Sequence, residues 1–204
     1  MKKLLVLAVC IMSVLFASAQ SKITWSAEVG IGMSSWMGDG SDHSKALFNP
    51  RVGVGLDIPL TGLVSFQTGL NWTSKGAKYK EDGVKTSINQ NYFEVPLLAA
   101  FHVGATDKFD LVFTAGPYIA CGIAGKTETE VGDVTTSWKT FKDAEVEGIQ
   151  VWNGLNRFDA GIQVGAGLDF SRWTVGVDAD FGLCKIQSGG PRNIALYFSA
   201  GYKF

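Results

Sequence analysis

Along this chain, hydrophobic and polar residues change places at every second position, in eight separate stretches. At the C-terminal end Ile194, Leu196, Phe198, Ala200, Tyr202 and Phe204 alternate with Asn193, Ala195, Tyr197, Ser199, Gly201 and Lys203. Successive side chains of a strand point to opposite faces, so this stretch is a two-sided strand. The same phase recurs over 23–33, 51–58, 64–73, 92–102, 109–119, 158–169 and 173–181. Eight strands of about ten residues each have the length that crosses a bilayer when tilted. Pro96 and Pro117 are misfits, because each removes a ladder donor; a bulge or interrupted pairing is expected there.

The connections alternate as well. Those near 59–62, 104–108 and 171–172 are short, and those near 34–47, 74–90, 126–156 and 185–192 are longer. Short turns at one end and long loops at the other are the arrangement of outer-membrane barrels, with the short turns periplasmic. The fold class read from the pattern is all-β: an eight-stranded antiparallel up-and-down transmembrane β-barrel. A soluble lipocalin-like barrel also has eight strands, with its apolar face inward. The large rings decide between them. Phe48, Phe66, Trp72, Phe93, Phe101, Phe113, Phe158, Trp173 and Phe198 all fall on the apolar face, whereas the polar face is rich in glycine. An eight-stranded interior is too narrow for that many rings. The rings also sort by height, with Trp25, Phe101, Phe109, Phe170, Trp173, Tyr202 and Phe204 at the short-turn end. Trp36, Phe48, Trp72, Phe93 and Phe158 fall at the other. Two girdles are what two membrane interfaces select.

The N-terminus changes the domain reading. Lys2 and Lys3 precede an apolar run from 4 to 16, and Ala17-Ser18-Ala19 carries the small residues of a signal-peptidase site. Residues 1–19 are therefore expected to be a cleaved signal peptide, and 20–204 the barrel domain. Although 46% of residues are hydrophobic, nothing after the signal forms a continuous apolar span of helical length. Loss of Lys2 and Lys3 takes the formal charge from −1 to −3, which leaves no basic footprint for nucleic acid. Cys121 and Cys184 remain in the mature chain and could pair in an oxidising compartment, but no regular cysteine framework surrounds them.

Several motifs now carry a resemblance. The terminal segment, with Phe198, Tyr202 and Phe204 on one face, resembles the C-terminal signal by which outer-membrane barrels are recognised for insertion. Lys75-Gly76-Ala77-Lys78-Tyr79, Tyr92-Phe93-Glu94-Val95-Pro96-Leu97-Leu98, Ala115-Gly116-Pro117-Tyr118 and Gly165-Ala166-Gly167-Leu168 resemble the Bacteroidota outer-membrane β-barrel domain often called PorT-like. The resemblance spans most of the mature chain. It implies the barrel fold, outer-membrane lipid and the barrel-insertion machinery as partners; one branch of that family is tied to protein secretion.

Candidate chemistry is sparse. The polar face is expected to form a lumen network of Glu28, Arg51, Asp57, Glu94, Asp159, Gln163, Asp169, Asp178, Asp180 and Lys203, with Lys75 and Arg157 as further cations. Such acids suggest either cation conduction or pairing; charges in so narrow a space are expected to be paired or hydrated, which favours a filled lumen. The chain has two histidines. His43 sits in the first loop, and His102 on the lumen face near the short turns; neither has a spacing that defines a catalytic triad. No cofactor, metal or catalytic site is expected. The loop over 126–156 interleaves Trp138, Phe141 and Trp152 with six acids and three lysines. Long loops in compact folds are usually functional, so these rings are candidates for binding an extracellular or envelope partner. The expected function is a non-enzymatic outer-membrane barrel whose outer loops bind a partner or shield the surface. A lipid-active enzyme and a subunit of an export machine are the alternatives.

Overall fold

The computed structural model describes residues 23–81, 83–106, 109–146 and 148–204. The expected signal segment lies outside them. Eleven strands follow one another: β1 (Thr24–Met37), β2 (Leu47–Pro59), β3 (Val64–Glu81), β4 (Val84–Thr106), β5 (Phe109–Val131), β6 (Val134–Lys139), β7 (Ala144–Val146), β8 (Ile149–Trp152), β9 (Phe158–Phe170), β10 (Trp173–Gly182) and β11 (Arg192–Lys203). Eight of them close a ring, β1-β2-β3-β4-β5-β9-β10-β11, in which every neighbour is antiparallel and β11 pairs back on β1. That closing ladder runs from Ser26↔Lys203 to Met37↔Arg192. Hydrocarbon offers no partner to an open sheet edge, and closure removes the edge. The remaining strands lie beyond the ring: β6 extends β5 as a hairpin, and β7 and β8 form a separate small hairpin.

Burial shows which face is out. Val29, Ile31, Phe93, Ile119, Phe158, Trp173 and Phe198 are exposed, while Arg51, Glu94, Tyr118, Asp159 and Tyr197 are buried. This is the inverse of a soluble core, and it is the face assignment that the alternation predicts. Phe48, Phe93 and Phe158 ring the barrel towards the long-loop end. Trp25, Phe101, Phe170 and Trp173 ring it towards the short turns, where Tyr202 packs edge-on against Trp173 at 5.0 Å and Phe204 at 5.5 Å. Phe158 and Phe170 bracket about 40 Å of strand. At the usual barrel tilt that is about 30 Å of height, the thickness of the hydrocarbon layer.

Three local expectations are settled by the ladder. At Pro96 the pairing of β4 with β3 skips from Leu97 to Glu94, and at Pro117 the pairing of β5 with β4 skips from Tyr118 to Ala115, without change of register on either side. Each missing proline donor thus interrupts a ladder, and the register shifts of β4 against β5 fall elsewhere, at Asn91/Tyr92 and Gly104/Thr106. The segment 74–90 is not a loop: β3 and β4 stay paired up to Glu81↔Val84, so the hairpin stands clear of the membrane. Trp36 does not join the outer girdle. It lies on the inner phase of β1 and packs on Tyr79 at 5.6 Å.

The two faces predict losses of different origin when a charge is introduced. Val177→Arg places a cation on the lipid face near mid-height and should destabilise the barrel by ~2–4 kcal/mol in urea titrations from lipid vesicles. Gly176→Arg should be disruptive through crowding inside, beside Asp178. A Val177→Arg barrel as stable as the parent would mean that the two faces are reversed.

Candidate functional site

The lumen is organised in layers. In the middle, β2, β3, β4 and β10 bring two cations and two carboxylates together. Arg51 Nη2 donates to Glu94 Oε1 at 2.9 Å and to Asp180 Oδ2 at 2.6 Å. Lys75 Nζ donates to Glu94 Oε2 at 2.7 Å and lies 3.2 Å from Asp180 Oδ2. All four side chains are essentially fully buried. Arg51 stacks over the Tyr197 ring at 4.1 Å, and Lys75 over the Tyr118 ring at 4.2 Å. The quartet is charge-balanced, and the rings add cation–π contacts that strengthen on desolvation. Glycine provides the room: a Cβ on Gly161 would lie 2.6 Å from the Tyr118 ring, and one on Gly32 would lie 2.8 Å from Tyr197.

Above this lock, Tyr118 and Asn193 donate to Asp159 Oδ2 at 3.3 and 3.1 Å, and Thr73 donates to the Tyr197 hydroxyl at 2.8 Å. The loops then seal the mouth. Phe141, Leu155 and Ile186 pack with Ile88, Tyr92, Tyr118 and Ala120, and Trp36, Tyr79 and Trp152 pack around them. Phe141 meets Tyr92 edge-on at 5.7 Å and fills the space a Cβ on Gly122 would occupy. Outside the membrane, burial first and then Asp42 push the Tyr79 hydroxyl above its ordinary range.

Below the lock the lumen opens into a cavity of about 160 Å³, lined among others by Glu28, Asp57, Gln163, Asp169, Asp178 and Lys203. Ser199 donates to Asp178 at 3.1 Å, Gln67 donates to Asp57 at 2.6 Å, and Lys203 contacts Asp169 directly. Gln163 and Thr114 belong to this lining, and among the described residues Gln163 Oε1 and Thr114 Oγ1 are buried without a hydrogen-bond partner. Most of the acid excess of the lumen sits in the vestibule, while Asp159 above the lock lies 4.0 Å from Lys75.

Of the residues expected in the lumen, Arg51, Glu94 and Asp180 meet in the lock, Asp159 lies just above it, and the other six line the vestibule. Lys75, expected as a further cation of the lumen, completes the lock, although the segment 74–90 read as loop. Continuing the odd-numbered phase of Asn71 and Thr73 would have placed it. Arg157 is no lumen partner: it donates to the Gly122 carbonyl at 2.7 Å and lies over Phe141. Among the rings expected to bind a partner, Phe141 is corrected outright, since it is buried in the mouth. Trp152 donates to the Thr140 carbonyl at 3.1 Å and stacks near Trp138 at 6.1 Å. These rings hold the cap together. Cys121, which is exposed, and Cys184, which is half-buried, are free thiols.

One constellation invites an enzymatic reading. Ser65 Oγ lies 2.8 Å from His102 Nε2 and donates to Asp57 at 3.1 Å. A working triad also needs a carboxylate on the second ring nitrogen and an accessible nucleophile. His102 Nδ1 is 4.0 Å from Asp169, which already holds Lys203. Ser65 is 2% exposed. The group is a polar network at the short-turn rim.

A closed eight-strand ring with lipid-facing rings outside and a charged lumen inside defines a transmembrane barrel of the outer-membrane type. The chain belongs to the outer membrane protein beta-barrel domain family, whose family model matches residues 17–188. No curated protein matches it. Solved structures similar to the chain include Ail, the attachment invasion locus protein of Yersinia pestis, at 15% identity and a TM-score of 0.43, covering 89% of this chain and 98% of that one. Neisserial surface protein A is similar at 9% identity and a TM-score of 0.48, covering 90% and 100%. OprG of Pseudomonas aeruginosa is similar at 10% identity and a TM-score of 0.47, covering 89% and 95%.

The lock predicts a pairwise signature. Lys75→Met leaves Glu94 and Asp180 sharing one cation and should cost about 3–5 kcal/mol, because a buried charge loses its partner. Adding Glu94→Gln restores a one-to-one pair of Arg51 with Asp180 and should recover most of that loss in urea unfolding from vesicles. Additive losses in the double variant would contradict the balanced quartet.

Proposed function

We propose that this protein is exported by its first 19 residues and spans the outer membrane with both termini in the periplasm. It works without catalysis, through the surface that its long-loop end presents outside the cell. The observation that carries this reading is the closed lumen: the Arg51–Lys75–Glu94–Asp180 lock fills the middle, and the Phe141 cap covers the end above it. A barrel sealed in this way offers no broad path to a solute, and the two cations of the lock oppose the passage of another. What remains for function is the extramembrane sheet of β3, β4, β5 and β6, with the exposed acidic residues of the third loop. Phe198, Tyr202 and Phe204 on the terminal strand serve the insertion machinery. The motifs that resemble the PorT-like branch support a Bacteroidota barrel.

Orientation is the part of this reading most open to test. Single cysteines at Ser137 on β6 and at Thr61 in the β2–β3 turn, in a background without Cys10, Cys121 and Cys184, report the two ends. On intact cells a membrane-impermeant maleimide should label position 137 and leave position 61 unlabelled until the outer membrane is broken. Labelling of position 61 alone would place the long loops in the periplasm and refute the reading.

A further inference from the structure

Above the ring of Phe93, strands β3, β4 and β5 leave the barrel wall and β6 joins them as a four-stranded sheet. The two faces of this sheet differ. One carries Tyr79, Ile88, Gln90, Thr127 and Trp138, which are buried or half-buried towards the mouth. The other carries lysines. Directly opposed residues of an antiparallel ladder share a face. The register sets Lys80 opposite Lys85 and Lys126 opposite Lys139, and a bridge sets Lys45 opposite Lys78. All six are exposed. Glu128 and Glu130 share the face, at 2.6 Å from Lys126 and 3.4 Å from Lys85. Among the described residues, six lysines stand against two glutamates on this face.

Like charges directly opposite each other destabilise a sheet, and this face holds three such pairs. Glu130, directly opposite Lys85, and Glu128, beside Lys126, offset one lysine in two of these pairs, and an anion lying across a pair would offset the rest. The position of the face identifies the anion. Phe93 pairs with Cys121 on the lipid side, then Asn91 with Ala124, then Asn89 with Lys126, all on one continuous outer surface. Four residues of strand are about 13 Å. At barrel tilt this puts Lys126 and Lys139 about 10 Å above the Phe93 ring, at the depth of the polar headgroups that flank the hydrocarbon. The other two pairs stand higher, where the sugars of a surface glycolipid lie.

We propose that this face is a docking site for the phosphate groups of an outer-leaflet glycolipid, whose acyl chains lie against Phe93 and Cys121 while its phosphates lie across the lysine pairs. The proposal rests on the barrel standing in the outer membrane with its long loops outside. Charge complementarity and continuity with the lipid-facing belt favour a lipid over a soluble polyanion.

The test uses the whole barrel refolded into phosphatidylcholine vesicles containing either diphosphorylated lipid A or lipid A with its phosphates removed. Slower gel migration on boiling, in all vesicles, reports the barrel itself; its absence would sink the fold reading separately. Native mass spectrometry then counts retained lipid A. The parent protein should hold the phosphorylated form. Lys126→Gln with Lys139→Gln should weaken retention roughly 25-fold, at roughly fivefold per lysine near a charged surface. In vesicles with dephosphorylated lipid A the same variant should resist heat as well as the parent or better, because a repulsive pair is gone. Equal retention of the two lipid A forms, or retention that the double variant leaves unchanged, overturns the proposal. So does full displacement of lipid A by millimolar pyrophosphate, which would mark a soluble-anion site.

Discussion

A backbone inside hydrocarbon has only itself to bond to, and most of this structure follows from that constraint. Every strand of the ring needs two neighbours, so β11 returns to β1. Eight strands make a narrow ring, so the large rings belong on the lipid side and glycine belongs inside. The polar face is then left in a space with little room for water, where each charge needs a partner. Arg51 and Lys75 facing Glu94 and Asp180 satisfy that need at a level where all four side chains are buried.

The two ends of the lumen solve the same problem differently. Towards the long loops, the walls rise past the membrane and an apolar cluster built on Phe141, Leu155 and Ile186 closes the top. Towards the short turns, the acids outnumber the cations but face a cavity in which they can be hydrated. The lock is thus the boundary between a dry cap and a wet vestibule. The extramembrane sheet depends on the cap as well, since its inner face is the cap's wall and its outer face is therefore free to carry charge.

Strand positions, face assignment and closure were legible in the sequence because a period of two leaves a mark at every residue. Arg51, Glu94 and Asp180 were legible as lumen residues for the same reason. Their grouping was not, since it depends on which residues of β2, β4 and β10 share a height, and register is a property of strand pairs. The alternation weakens beyond Thr73, where a run from Thr73 to Ala77 is buried throughout. The hairpin above it was hidden there, although Lys75 was legible as a cation for the lumen acids. Phe141 and Trp152 were misread for a further reason: a ring in a long loop looks the same in sequence whether it awaits a partner or folds back onto the barrel mouth.

The central claim is that the lock and the cap close the lumen, and conductance tests it most directly. The purified barrel, inserted into a planar bilayer between symmetric potassium chloride solutions, should show no steady open level. A stable, large, cation-selective current from the unmodified protein would mean that ions pass Arg51 and Lys75, and would contradict the account.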